Sequence, residues 1–247
     1  MISVPRLRRG TDTAARAEHA SLDVRDPAAQ AEIIVRDVLA LYPGRVALAC
    51  SFGGPSGMAL LDIVLRVDRH VPVYYVDTGL LFPETYALVD RAAKRYGIVP
   101  VALRPELSVQ AQAERYGEAL WSRDPDACCA MRKVAPHRAF VEGYDAWLTG
   151  IRRVQASTRG ALEPVARDGE RLVKVSPLFD WTDDDVWAYV NEHDVPVNAL
   201  HGDGYPSIGC MPCTARTAPG EDARAGRWAG FGKTECGIHL RPQEVRS

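Results

Sequence analysis

Five of the six cysteines occupy positions from which chemistry can be read. Cys128 and Cys129 are adjacent, Cys210 and Cys213 are separated by two residues, and Cys236 stands alone in Lys233-Thr-Glu-Cys-Gly-Ile-His239. Four thiolates in two pairs suit zinc or an iron–sulfur cluster. Zinc thiols usually come as knuckles with residues between them, whereas neighbours diverge by roughly 100° on a helix and point oppositely on a strand. Cys128 and Cys129 are therefore awkward around one small ion. A cluster spreads its irons over a larger volume, so adjacent thiolates reach different irons, and this geometry favours a cluster over zinc. The alternative is a set of buried, inert thiols. Cys50 lies in an apolar run and reads as core filling.

Cys236 is a spare thiol beside a four-ligand set. Lys233 and His239 are placed to lower its pKa and make it a better nucleophile, while Glu235 opposes them. Arginine supplies local positive charge in the segment Ile151-Arg-Arg-Val-Gln-Ala-Ser-Thr-Arg159, whose guanidinium groups suit bidentate capture of an anion. Between residues 205 and 241, Arg216, Arg224, Arg227, Lys233 and Arg241 face three acids. For each single arginine the alternative is a solvated surface position.

These residues need elements to hold them. An apolar strand over residues 45–50 runs into the loop 51–57, followed by an apolar helix over 58–67. Strands over 71–77, 99–103 and 146–149 alternate with a helix whose stripe is Thr85, Leu88, Val89, Ala92 and Tyr96. Such alternation implies βαβ units, hence an α/β fold with a mainly parallel sheet flanked by helices. The loop holding Ser51, Phe52, Gly53 and Gly54 joins a strand end to a helix start, where main-chain amides suit an anion; a plain tight turn is the alternative. A second such junction begins at Asp77 and Thr78, on the sheet edge where α/β proteins bind ligands, although Asp77 also suits a turn cap. Thr182 followed by three aspartates resembles a helix cap. Residues 201–232 hold seven Gly and three Pro and read as irregular. The expected organisation is a polar, partly mobile arm over 1–30, an α/β nucleotide-binding domain over 31–200, and a Gly-rich segment over 201–247. That last segment belongs to the same domain and carries the second cysteine pair and a mobile tail.

The 247 residues carry 30 Lys and Arg against 32 Asp and Glu, a net charge of −2, which excludes a general attraction to nucleic acid or membrane. No apolar run approaches the ~18 residues of a membrane span. No apolar block follows Arg6, Arg8 and Arg9, so no secretory signal is expected and the protein is read as cytoplasmic. Six cysteines in such a chain favour metal or redox chemistry over structural disulfides.

Five motifs jointly resemble the assimilatory adenylyl-sulfate reductases, within the wider adenylyl-sulfate and 3′-phosphoadenylyl-sulfate reductase family. They are Asp77-Thr-Gly with Phe82-Pro-Glu-Thr85, Cys128-Cys-Ala-Met-Arg-Lys133, Thr149-Gly-Ile-Arg-Arg-Val-Gln155, Gly204-Tyr-Pro-Ser-Ile-Gly-Cys-Met-Pro-Cys-Thr214, and Glu235-Cys-Gly-Ile-His239. The resemblance covers roughly residues 40–241. It implies an adenine-nucleotide-hydrolase-like fold and a 4Fe–4S cluster on Cys128, Cys129, Cys210 and Cys213. It also implies Cys236 as the nucleophile that takes a sulfonate from adenylyl sulfate, and thioredoxin or a similar dithiol protein as reductant. The substrate site so implied comprises Ser51, Phe52, Gly53, Gly54, Asp77, Thr78, Lys133, Arg152, Arg153, Arg224, Arg227 and His239. A homo-oligomer is compatible with this reading. The loop Gly53-Gly-Pro-Ser-Gly57 departs from the acidic residues the family commonly carries after its glycine. The alternatives are use of the 3′-phosphorylated substrate, or an ATP-pyrophosphatase-type thiolation enzyme on the same fold.

Overall fold

The computed structural model describes residues 26–239, together with the backbone of a hairpin formed by β1 (Val4–Arg9) and β2 (Ala15–Ala20). Residues 1–3, 10–14 and 21–25 of the expected N-terminal arm lie outside the described residues. The arm's expected boundary at residue 30 falls inside helix α1 (Pro27–Leu41), because Asp26 caps that helix by accepting from the Ala28 amide and Pro27 starts its first turn.

A six-stranded sheet follows, with strands β3 (Val46–Ala49), β4 (Val73–Val76), β5 (Val101–Leu103), β6 (Ala146–Thr149), β7 (Val165–Asp168) and β8 (Leu172–Val175). Their spatial order is β5-β4-β3-β6-β8-β7, parallel throughout except for β7 against β8. The mainly parallel α/β fold is thus as the sequence implies. The β7–β8 hairpin lies outside the strands that the apolar runs imply. Its signal is Asp168-Gly169, with Gly169 at a φ of 87° in the three-residue turn.

Side chains alternate between two apolar layers, as strand geometry requires. Val46, Leu48, Ala146, Leu148 and Val175 face a large core with α1, α2 (Pro55–Val67), α3 (Pro83–Tyr96) and α7 (Asp183–Glu192). Ala47, Tyr74, Leu103 and Trp147 face the opposite layer, where Val141 of α6 (Ala135–Val141) and Ile238 pack. Helix α4 (Val109–Tyr116) and the short α5 (Pro125–Cys129) complete the frame. Cys50 is buried in the first core, and burial pushes its thiol up to about 12, consistent with a packing role. Among the described residues, no helix is long and apolar enough to cross a membrane.

Candidate active site

The strand order reverses at β3: the chain steps outward through β4 and β5, then returns to β6 on the other side. A crevice opens at the carboxyl ends of β3 and β6, the usual ligand position in such sheets. Beyond β3 the chain turns through Phe52, held at a φ of 54°, and enters α2 at Pro55. A Cβ on Gly53 would stand 2.8 Å from the Ile208 carbonyl oxygen, so only glycine fits there. Asn198 donates to the Phe52 carbonyl at 3.1 Å, and His201 Nε2 contacts the Gly53 carbonyl at 3.0 Å. Residues 198–208 therefore brace the loop from behind.

A cavity of about 570 Å³ covers this crevice. Of the expected substrate residues, Ser51, Gly53, Gly54, Lys133, Arg152, Arg224, Arg227 and His239 line it, and Cys236 stands in the same wall. Four others do not line it. Phe52 is buried in the core. Asp77 accepts from the Gly79 amide at 3.1 Å, Tyr86 Oη at 2.7 Å and Arg104 Nε at 3.2 Å, so it organises its turn. Although burial opposes ionisation, the hydrogen bonds from Tyr86, Gly79 and Arg104 hold its carboxyl below the ordinary range. Thr78 Oγ1 contacts Cys210 Sγ at 3.3 Å. Arg153 is turned away, donating to the Leu162 carbonyl at 2.7 Å and Asp180 at 2.8 Å while covering Phe179. Arg152 reaches the cavity wall with its guanidinium engaged by Ser56 Oγ, the Trp181 carbonyl and Asp183.

The surroundings of Cys236 differ from the expectation of two neighbouring cations. Burial first, and the charges of Lys174 and Arg159 next, push His239 well below its ordinary pKa, so its ring is neutral at neutral pH. Lys233 pairs with Asp126 and covers the Trp228 ring. Beyond Lys133, Arg224 and Arg227, positive charge comes from Arg159, whose pairing with Glu235 the sequence reading missed. Arg159 donates to Glu235 from Nε at 2.7 Å and from Nη2 at 2.8 Å, both side chains being buried. Burial works against the Glu235 carboxylate, but Arg159 overcomes it and holds its pKa below the ordinary value.

The two cysteine pairs meet although 80 residues separate them in the chain. Cys128 and Cys129 end α5, and the helix then widens into a π turn over Ala130–Val134 before α6. Pro136 lacks the amide that would bond to the Arg132 carbonyl, which accounts for the widening just before it. Cys210 precedes and Cys213 ends a 3₁₀ turn, and Cys210 forms a backbone β-bridge with Leu81. All four thiols line one small pocket, with Arg132, Lys133 and Trp228 in its wall. Lys133 and Trp228 also line the large cavity. Arg132 ties this pocket to the junction after β4, donating to the Thr78 carbonyl at 2.7 Å and to Gln112 at 3.0 Å. Burial pushes the thiols of Cys129 and Cys213 up to about 11. Four soft sulfur donors around one pocket fit a zinc or iron–sulfur group in kind. Among the described residues, no group of three or more His, Cys, Asp or Glu is gathered as around a single metal ion.

Comparison with known proteins bears on this arrangement. The phosphoadenosine phosphosulfate reductase domain family matches residues 45–216. The adenosine 5′-phosphosulfate reductase of Shouchella clausii is 46% identical over 200 residues, covering 80% of this chain and 83% of that protein. A Bacillus subtilis relative, adenosine 5′-phosphosulfate reductase 2, is 44% identical over 80% of this chain and 84% of its own length. Among solved structures, the phosphoadenylyl-sulfate reductase of Candida auris in a phosphate complex superposes with a TM-score of 0.66 at 30% identity. That match covers 75% of this chain and 90% of the other. A Candida glabrata FMN adenylyltransferase has a TM-score of 0.57 at 14% identity, covering 75% of this chain and 62% of its own, which is a likeness of fold alone.

Proposed function

The chain belongs to the phosphoadenosine phosphosulfate reductase family, and on that premise we propose that it reduces adenylyl sulfate to sulfite and AMP, in sulfate assimilation, with thioredoxin or a similar dithiol protein as reductant. One observation carries this reading. A single cavity holds the main chain of the 51–57 loop together with Cys236, Lys133, Arg224 and Arg227. Such a cavity suits an anionic nucleotide and a nucleophilic sulfur in one space.

In the reaction so read, the Cys236 thiolate attacks the sulfur of adenylyl sulfate. The bond from that sulfur to the phosphate oxygen breaks, and AMP leaves with the electron pair. Cys236 then carries an S-sulfonate. A thiolate of the dithiol partner attacks the Cys236 sulfur, sulfite departs with the bonding electrons, and the partner's second thiol resolves the mixed disulfide and regenerates Cys236. AMP leaves readily, so the residues of this chain serve mainly to position the sulfonate and balance its charge. Lys133, Arg224 and Arg227 have that role, with Arg152 sharing its charge with Asp183.

Cys128, Cys129, Cys210 and Cys213 would hold a 4Fe–4S cluster, a group that supplies fixed charge beside Lys133. The chemistry of the donor set supports this: four soft sulfurs in one pocket, two of them neighbours in the chain. Residues 201–239 act as part of the same domain and bring Cys236 to the site, and the segment that carries it opens to the dithiol partner during turnover. A cytoplasmic setting suits the free thiols of Cys236 and its reductant.

The test is steady-state kinetics with reduced thioredoxin. Sulfite should form from adenylyl sulfate with a higher kcat/KM than from the 3′-phosphorylated substrate. A reversed preference would move the protein to the other branch of the family, and ATP consumption with pyrophosphate release would point to a thiolation enzyme instead.

A further inference from the structure

Residues 232–239 carry Cys236 but, among the described residues, form no main-chain hydrogen bond with other main-chain groups. Side chains hold this segment. Lys233 reaches Asp126, and Lys174 donates to the His239 carbonyl at 3.4 Å. Next to Cys236 in the chain, Glu235, 4% exposed, is gripped by both arms of Arg159, itself 9% exposed. Arg224 adds a bond to the Thr234 carbonyl at 2.6 Å.

The grip extends beyond the ion pair. Arg159 Nη1 donates to Gln155 Oε1, which also accepts from the Arg152 amide at 3.0 Å. Gln155 Nε2 donates to Ser56 Oγ at 3.2 Å, in the first turn of the helix that follows the 51–57 loop. One line of hydrogen bonds thus runs Ser56–Gln155–Arg159–Glu235 and ends on the neighbour of Cys236. We propose that this line is a clamp that fixes the Cys236 sulfur relative to the nucleotide loop, with Glu235 and Arg159 as positioning residues. The proposal rests on the reading of Cys236 as nucleophile. A bidentate guanidinium–carboxylate pair fixes direction as well as distance, which a single lysine contact does not. Glu235 in this account holds the thiol in place by tying up Arg159, whatever its charge does to thiol ionisation.

The experiment measures iodoacetamide alkylation of Cys236 without substrate, read by mass on the C-terminal peptide, beside steady-state kinetics. Glu235→Gln removes the charge and Arg159→Lys keeps it but loses the fork. Each should speed alkylation about tenfold or more by opening the segment locally. Each should lower kcat about tenfold while leaving KM for the nucleotide within about twofold, the pattern of lost alignment rather than lost binding. The double variant should be no worse than the more affected single variant, because the two residues act as one unit. If Glu235→Gln does not fold, Arg159→Lys carries the test, since it leaves the buried carboxylate a cation. Unchanged alkylation, or additive effects in the double variant, would overturn the clamp. Failure of the nucleophile reading is separately visible as turnover in Cys236→Ser, which leaves the alkylation results of the clamp variants standing.

Discussion

Gly150 sits against Ser56 so closely that a Cβ placed on it would lie 2.8 Å from the Ser56 carbonyl oxygen. The Gly57 amide nitrogen would be 3.0 Å away. The junction after β6 is thereby seated on the first turn of α2, and Arg152 follows two residues later with its Nε on Ser56 Oγ at 2.9 Å. The 51–57 loop and the arginine segment are parts of one packed unit.

Gly150→Ala should push these two junctions apart. The cost expected for inserting a methyl into a packed site is about 1–3 kcal/mol, measurable by urea unfolding. KM for adenylyl sulfate should rise more than kcat falls, because the chemistry at Cys236 lies elsewhere in the cavity. Unchanged KM with normal stability would show that the two junctions are not coupled.

The cysteine pocket makes its own prediction. Protein purified without oxygen should contain about four irons and four sulfides per chain, as one 4Fe–4S group requires. Cys210→Ser should lose that iron, whereas Cys236→Ser should keep it. Stoichiometric zinc without sulfide, in cells supplied with iron, would contradict the cluster.

His137 gives a pH-dependent prediction. It is 1% exposed beside Tyr74 Oη at 3.1 Å, and burial, reinforced by Arg138, pushes its pKa down to about 4. In the unfolded chain its pKa is near 6.5, so between these values the unfolded state binds the extra proton. Its contribution to stability is therefore present above about 6.5 and is lost as pH falls toward 4. Between pH 7.5 and 5 the loss is about 2 kcal/mol by that linkage. His137→Leu leaves Tyr74 without its partner at every pH, but it should remove this acid-side loss. The stability of the variant relative to the wild type should accordingly improve on going from pH 7.5 to pH 5. An equal difference at the two pH values would mean that His137 titrates normally.

Much of the fold is legible in the sequence because it is written locally. The apolar runs ending at Ala49, Val76, Leu103 and Thr149 are strands. Pro83 opens a helix whose buried stripe is Thr85, Leu88, Val89 and Ala92, and Thr182 caps another with Asp185 returning the bond. The β7–β8 hairpin is harder to see, since Val165–Asp168 is short and carries polar residues at two of its four positions. Its one clear sign is the Asp-Gly turn.

The site is less legible, for a reason of connectivity. Residue type shows that Arg152, Arg153 and Arg159 can hold an anion, but not which carboxylate or carbonyl each meets. Arg153 is drawn off by Asp180 and the Leu162 carbonyl, while Arg159 meets Glu235 from 76 positions away. His239 has the right chemistry to charge a neighbouring thiol, yet its burial keeps it neutral. Asp77 stands at a strand end like those that line the crevice but is consumed by its own turn. Such outcomes depend on partners brought together by the sheet, which spacing along the chain does not encode.

The proposed reaction turns on one sulfur. Cys236 stands in the cavity wall with Lys133, Arg224 and Arg227. Wild-type protein mixed with adenylyl sulfate, with no reductant present, should gain one sulfonate group by intact-mass analysis, located on the peptide that contains Cys236. Reduced thioredoxin should then remove it and release sulfite, while Cys236→Ser should gain nothing and turn nothing over, since a serine hydroxyl stays protonated near neutral pH. A sulfonate found on Cys50 or on one of the paired cysteines, or substantial sulfite production by the serine variant, would contradict it.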